Sequence, residues 1–224
     1  MRKKAFLFDL NGTMIDDMEY HVVAWSDIFN NDLKAGLSYE QVKAEMYGKN
    51  DEVLARIFGK GHFPPDIVRE LSVEKERRYQ RAYLPELRLI KGLHEFLEQA
   101  SELGILMAIG SAAIPFNIDF VLDNLKIRDY FGAIVSADDV DISKPHPETY
   151  LKCAAQLGVA PSECLVFEDA PKGVEAALNA GIEAVVITTM HEKNEFAAYS
   201  NIIDFVPDYT ALNPGMLIGQ PLAK

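Results

Sequence analysis

Apolar positions fall along this chain in two rhythms. Short, nearly unbroken runs at Ala5–Asp9, Ile105–Ser111, Ala133–Ser136, Cys164–Glu168 and Ala184–Thr188 predict strands. From Leu93 onward these runs alternate with apolar residues at helical spacing. Leu93, Phe96, Leu97 and Ala100 form one such set, Tyr150, Leu151, Ala154 and Leu157 a second, and Val174, Ala177 and Leu178 a third. The pairs Leu103-Gly104, Leu157-Gly158 and Ala180-Gly181 close these patterns with the residue that most readily adopts a left-handed helix cap. Strand, helix, glycine, strand is the order of an α/β fold with a Rossmann-like, doubly wound parallel sheet. Strands covered on both faces should be apolar throughout, as Leu106-Met107-Ala108-Ile109 and Ala184-Val185-Val186-Ile187 are.

Residues 15–85 interrupt that order. Helical stretches at Val22–Asn30, Ser38–Met46, Asp51–Phe58 and Pro65–Ala82 replace the strand signals. Ser38 with Gln41 has the spacing of a capping box, and Asn50 is placed to cap the helix that follows it. Lys75, Arg77, Arg78 and Arg81 with Glu74 and Glu76 predict a solvated, ion-paired face, and Trp25 is expected in the core of this region. The expected organisation is a core of residues 1–14 and 86–224, carrying an inserted helical cap of residues 15–85 above the carboxyl edge of the sheet.

Composition narrows the function classes. The 224 residues suffice for one sizeable core with a smaller insertion, and 49% hydrophobic content is ordinary for a globular protein. A net charge of −12 argues against nucleic acid and anionic membrane surfaces as partners. Cys153 and Cys164 have neither metal nor disulfide-framework spacing. The apolar stretch after Met1-Arg2-Lys3-Lys4 runs only from Ala5 to Phe8, too short for a secretory signal, so a cytoplasmic protein is expected.

The predicted strands end in chemically loaded residues. Asp9 closes the first, Ser111 the second and Glu168-Asp169 the fourth, while Lys144 lies in the loop Ser143-Lys144-Pro145-His146-Pro147. Ligands of open α/β sheets bind at the carboxyl ends of strands. Adjacent acids repel and desolvate poorly unless a cation joins them. With Asp9 they make a hard-oxygen site suited to Mg²⁺. Ser111 and the backbone N–H groups around Leu10 and Ala112 can donate to a phosphoryl group, and Lys144 can hold it. Asn11 stands out, since an amide occupies a position where a second carboxylate is expected.

Asp9-Leu10-Asn11-Gly12-Thr13, Gly110-Ser111-Ala112, Ser143-Lys144-Pro145-His146-Pro147-Glu148 and Phe167-Glu168-Asp169-Ala170-Pro171-Lys172-Gly173 resemble the four ordered motifs of the haloacid dehalogenase-like superfamily. Glu19-Tyr20-His21 followed by Ala24-Trp25 resembles its β-phosphoglucomutase branch. The resemblance implies Mg²⁺-dependent phosphoryl transfer through an aspartyl-phosphate at Asp9. Asp9, Asp169 and the backbone carbonyl of Asn11 would hold the metal, with Glu168 in or beside its shell. It also implies an Asp where Asn11 stands, protonating the leaving group and then activating the incoming water. Such help is commonly worth ~10²–10⁴ in rate, so turnover is expected to be slowed unless His21 or a substrate hydroxyl carries the proton.

Substrate selection is expected from His21 and Lys49 in the helical region and from Ser111, Ala112 and Lys144 in the core. The mutase branch places an Arg for a distal phosphate where this chain has Asp51, with Lys49 nearby, and the segment Ala113-Ile114-Pro115-Phe116-Asn117 also departs from that branch. Monophosphate hydrolysis on a small metabolite, with a sugar phosphate favoured, is therefore the first expectation, and a monomer or weak dimer the expected assembly. A β-phosphoglucomutase and a non-catalytic binder of phosphorylated metabolites are the alternatives. Dehalogenation is disfavoured by Glu168-Asp169. A Schiff-base lysine at Lys43 or Lys49 competes with an ordinary solvated role for either residue.

Overall fold

The computed structural model describes residues 2–219. The chain forms two compact units, one built from the described residues up to Asp16 and from Arg88 onward, the other from Asp17–Leu87.

In the first unit, β1 (Ala5–Phe8) is buried along its whole length, as a strand covered on both faces must be. It pairs in parallel with β2 (Leu106–Gly110) on one side and β4 (Cys164–Glu168) on the other, so that Phe8 lies opposite both Ile109 and Phe167. With β3 (Ala133–Val135), β5 (Glu183–Ile187) and β6 (Ile202–Val206) the order is β3-β2-β1-β4-β5-β6, all parallel. The order reverses between β1 and β4, the switch point at which such sheets form ligand crevices.

Side-chain alternation gives the sheet two unlike faces. Phe6, Phe8 and Phe167 project to one side and pack with Phe96 of α5 (Leu93–Glu102) and Tyr209; the Phe8 and Phe167 rings stack at 4.7 Å. Smaller residues, Ala5, Leu7, Ala108 and Val166, face a cluster with Tyr150, Cys153 and Ala154 of α7 (Glu148–Leu157) and Val174 and Ala177 of α8 (Pro171–Asn179). Gly104, Gly158 and Gly181, expected to end helices, all have positive φ.

Two elements depart from the sequence expectation. Among the described residues the sheet has six strands, because β6 was not anticipated. Its run Ile202-Ile203-Asp204-Phe205-Val206 is broken by a carboxylate, which an edge strand tolerates because part of it meets solvent. Likewise α6 (Pro115–Leu125) follows β2 where no helix was expected, opened by Pro115 at its first position.

The second unit contains α1 (Met18–Asp27), prolonged by a wider turn over Ile28–Asp32, then α2 (Tyr39–Lys43), α3 (Asn50–Phe58) and α4 (Pro65–Tyr83). Val22, Trp25, Ile28, Phe29, Val42, Val53 and Leu54 form its core, with the Trp25 and Phe29 rings stacked at 4.8 Å. The Ser38–Gln41 capping box forms as the spacing predicts. Asn50 does not cap α3. It is the first helical residue, Lys49 takes the cap position, and the Asn50 amide donates instead to Glu76. The solvated face expected on α4 is also only partly so. Arg78 pairs outward with Asp27, Asp32 and Glu74, but Lys75 and Glu76 are 4% and 2% exposed. Helical periodicity puts them on the inner side with Ser72, Tyr79 and Tyr83. No helix of the described residues is long and apolar enough to cross a membrane.

Candidate active site

Asp9 stands one residue past β1. Its N–H donates to the Phe167 carbonyl at 3.0 Å, so the ladder continues to the sheet edge and delivers the carboxylate there. The next turn depends on glycine. Gly12 has φ of +78°, and a Cβ on it would lie 2.1 Å from Asp169 Oδ2. The turn is tied down from three sides: Thr13 Oγ1 donates to Asp169 Oδ1 at 3.0 Å, Thr189 Oγ1 to the Gly12 carbonyl at 2.6 Å, and the Tyr209 hydroxyl to the Thr13 carbonyl at 3.1 Å.

On the neighbouring strand, Glu168 ends β4 and Asp169 follows it. Glu168 is 1% exposed and heavily engaged. Its Oε1 accepts from Lys144 Nζ and from the Tyr150 hydroxyl, both at 2.7 Å, and its Oε2 accepts from the N–H groups of Asp169 and Ala170, both at 3.1 Å. Gly173 makes room for this carboxylate, since a Cβ there would come within 1.7 Å of Oε1. Lys144 also donates to Asp9 Oδ1 at 2.7 Å and so joins the two strand ends. Asp9, Glu168 and Asp169 each bring a carboxylate oxygen within 4.8 Å of the others.

Charge in this cluster is not evenly matched. Burial works against the Lys144 ammonium, yet the Asp9 and Glu168 carboxylates outweigh it and hold the lysine protonated well above its ordinary range. Asp169 moves the other way for an acid in an ionic cluster. Burial, then the charges of Glu168 and Asp9, push its carboxyl well above the usual range, against weaker help from Thr13 and Lys144. Three buried carboxylates sharing one ammonium form a donor set of hard oxygens that lacks positive charge, and a small divalent cation fits it.

The remaining candidates fall in two places. Ser111 follows β2, is 1% exposed, donates its N–H to the Val135 carbonyl and accepts the Ala113 N–H on its hydroxyl oxygen at 3.1 Å. Ala112 is half-buried beside it. Asn11 is half-buried and its backbone bridges to Ile15. His21 and Lys49 belong to the helical unit. Lys49 is half-buried and its N–H donates to Glu52. His21 is locked into a buried set: Lys75 Nζ lies 2.6 Å from Nδ1, Asp17 Oδ2 is 3.2 Å from Nε2, and the imidazole stacks on Tyr79 at 3.9 Å. An ammonium only donates, so Nδ1 accepts and Nε2 carries the proton toward Asp17.

Sequence reading passed over Thr13, Tyr150 and Thr189. Tyr150 counted only as one apolar position of a helix, although a fully buried tyrosine needs a partner for its hydroxyl. That requirement was the available signal. Thr13 and Thr189 gave none by spacing alone.

The chain matches known proteins over most of its length. The model of the haloacid dehalogenase-like hydrolases matches residues 6–187. A fructose-1-phosphate phosphatase of Escherichia coli strain K12 is 31% identical over 188 residues, 82% of this chain and 96% of its own. A β-phosphoglucomutase of Bacillus subtilis strain 168 is 33% identical over 193 residues, covering 81% of this chain and 82% of its own. The crystal structure of CbbY from Rhodobacter sphaeroides in complex with phosphate superposes with a TM-score of 0.79 at 25% identity, over 95% of this chain and 97% of that one. From the first strand to the fifth, in sequence and in topology, this chain belongs to the haloacid dehalogenase-like hydrolase family.

Proposed function

We propose that the protein transfers the phosphoryl group of a small phosphorylated metabolite, a sugar phosphate by preference, to water, with Asp9 as nucleophile and Mg²⁺ as cofactor. One observation carries this reading: Asp9, Glu168 and Asp169 converge within 4.8 Å, and Lys144 bridges Asp9 and Glu168 at 2.7 Å. The sugar-phosphate preference draws on the relatives, one named for fructose 1-phosphate and one for phosphoglucomutase.

An Asp9 oxygen attacks phosphorus as the ester P–O bond breaks, giving an aspartyl-phosphate and an alkoxide that takes up a proton. Water then attacks phosphorus, loses a proton, and the bond to Asp9 breaks to release inorganic phosphate. Lys144 spends two of its three donors on Asp9 and Glu168 and has a third for a phosphoryl oxygen. Ser111, with its hydroxyl at the end of β2, and the Ala112 N–H supply further donors. Asp9 and Asp169, with Glu168 beside them and the Asn11 carbonyl, would hold Mg²⁺, which neutralises charge on the nucleophile and the phosphoryl oxygens when bound. Thr13 keeps Asp169 oriented toward that position.

Asn11 governs the rate. An amide neither gives a proton to the leaving alkoxide nor takes one from water near neutral pH, so solvent does both and turnover is slow. This same residue favours a second reading, a pocket that binds phosphorylated metabolites without converting them. Phosphate release from a panel of sugar, polyol and nucleotide monophosphates with Mg²⁺, run on the natural chain and on Asn11→Asp, separates the two. Gain of at least ~10-fold on Asn11→Asp supports the hydrolase. Equal, near-blank release from both proteins across the panel contradicts it.

A further inference from the structure

Tyr150 lies on α7, yet it reaches the functional cluster because Gly110 lets that helix approach the end of β2. A Cβ at Gly110 would meet Thr149 Cγ2 at 2.9 Å, Cys153 Sγ at 3.0 Å and Tyr150 Cδ1 at 3.4 Å. The tyrosine is 0% exposed. Its hydroxyl donates to Glu168 Oε1 at 2.7 Å, and its ring centroid lies 4.7 Å from Lys144 Nζ. One side chain thus touches both partners of an ion pair, the acid through its hydroxyl and the ammonium through its π face.

A phenylalanine would fill nearly the same volume in the buried cluster that Tyr150 shares with Leu7, Cys153 and Val166. The hydroxyl is explained only by Glu168. With it, both lone-pair directions of Oε1 are occupied, one by Tyr150 and one by Lys144, and the backbone N–H groups of Asp169 and Ala170 hold Oε2. The carboxylate cannot rotate without breaking several bonds, and the ammonium it anchors has the ring on one side and Asp9 on another.

We propose that Tyr150 is a positioning residue, which fixes Glu168 through its hydroxyl and Lys144 through its ring, and so sets where the Lys144 ammonium meets a phosphoryl group. This rests on the reading of Lys144 as the phosphate-holding lysine. Neither the tyrosine hydroxyl nor its ring takes part in bond making. A misplaced positioning group slows the reaction rather than weakening substrate capture.

The test has two arms. In the first, steady-state hydrolysis of p-nitrophenyl phosphate with Mg²⁺ is compared between the natural chain and Tyr150→Phe. The expected result is a kcat lower by about 10-fold, in the range that small misplacements produce, with KM changed less than about twofold. Unchanged kcat in a folded Tyr150→Phe overturns the proposal. The second arm needs neither metal nor turnover. In the NMR spectrum of the metal-free protein, the Hε resonances of Lys144 (assigned with Lys144→Arg) should be shifted upfield by the ring. They should stay shifted in Tyr150→Phe and return to the ordinary lysine position in Tyr150→Leu. Unshifted Hε resonances in the natural chain overturn the proposal, even if the Tyr150 variants fail to fold. If neither the natural chain nor Asn11→Asp releases phosphate while the ring shift is present, the functional reading fails and the placement of Lys144 by Tyr150 stands.

Discussion

Each unit of this protein buries a cluster of charges, and the two clusters differ in how they are balanced. In the helical unit, Asp17 and Glu76 are set against Lys75, with His21 between Asp17 and Lys75 and the Tyr79 hydroxyl on Asp17 at 2.5 Å. Burial penalises ionised Glu76, but the nearby Lys75 charge and the Asn50 amide prevail, and its pKa falls below the ordinary value. In the sheet unit, an equally buried acid goes the opposite way: Asp169 is pushed well up by burial and by its acidic neighbours. Glu76 thus has its counter-charge beside it in Lys75, although its Oε2 has no hydrogen-bond partner among the described residues. The sheet cluster stays short of positive charge after folding, so its three carboxylates could take a divalent cation.

The largest expected effect probes the helical cluster. Lys75→Met leaves Glu76 buried without its ammonium, and breaking a buried pair by removing one partner costs ~3–5 kcal/mol. Urea denaturation should show that loss. Asp169→Asn should do the reverse in metal-free protein, leaving stability unchanged or raised, because it relieves repulsion among Asp9, Glu168 and Asp169. Equal destabilisation by the two substitutions would erase the contrast between the clusters.

Metal addition sharpens the comparison next. Ligand binding to the folded state alone stabilises by about 2.7 kcal/mol at a hundredfold excess over Kd. Thermal unfolding of the natural chain should therefore move upward with Mg²⁺, while Asp169→Asn should hardly respond. A Mg²⁺ response that persists in Asp169→Asn places the ion elsewhere. The rate gain of at least ~10-fold expected for Asn11→Asp corresponds to about 1.4 kcal/mol of transition-state stabilisation and is the third effect in size. It should come without any change in the helical cluster, whose residues it leaves untouched.

The smallest effect concerns a half-buried acid in the sheet unit with a lysine and two backbone donors on it. Glu148 accepts from Lys152 at 2.7 Å and from the N–H groups of Asp141 and Ile142, which close the loop carrying Lys144. The Lys152 hydrogen bond first, then those backbone donors, lower its pKa from 4.5 to about 2. A carboxyl with a lowered folded value stabilises the fold fully above its unfolded pKa. Its contribution is lost as pH falls from about 4.5 toward about 2. Carboxyl ¹³C titration should place Glu148 at the foot of that window, and a midpoint near 4.5 would show the loop bonds are not formed in solution.

Much of the sheet unit was legible in the sequence because its signals are local. β1, β2 and β4 are continuous apolar runs, and Asp9, Ser111 and Glu168-Asp169 sit where those runs stop. The acid cluster followed once parallel order put β1 between β2 and β4. β6 escaped because Asp204 interrupts its run, as an edge permits. In the helical unit, Lys75 and Glu76 read as solvated because local charge pattern cannot reveal a partner such as His21, 54 positions away. Tyr150 was legible as a core residue whose hydroxyl needs a partner, but the partner itself was not, since Glu168 lies on another element.

The central claim, that Asp9 and Asp169 share a divalent cation, is tested most directly by crystals grown with Mn²⁺, which scatters anomalously and accepts the same hard oxygen ligands. The expected anomalous difference map has one strong peak between the two carboxylates, with oxygen contacts of ~2.1 Å. A map empty at that position at saturating Mn²⁺, or a peak held only by other residues, would contradict the account.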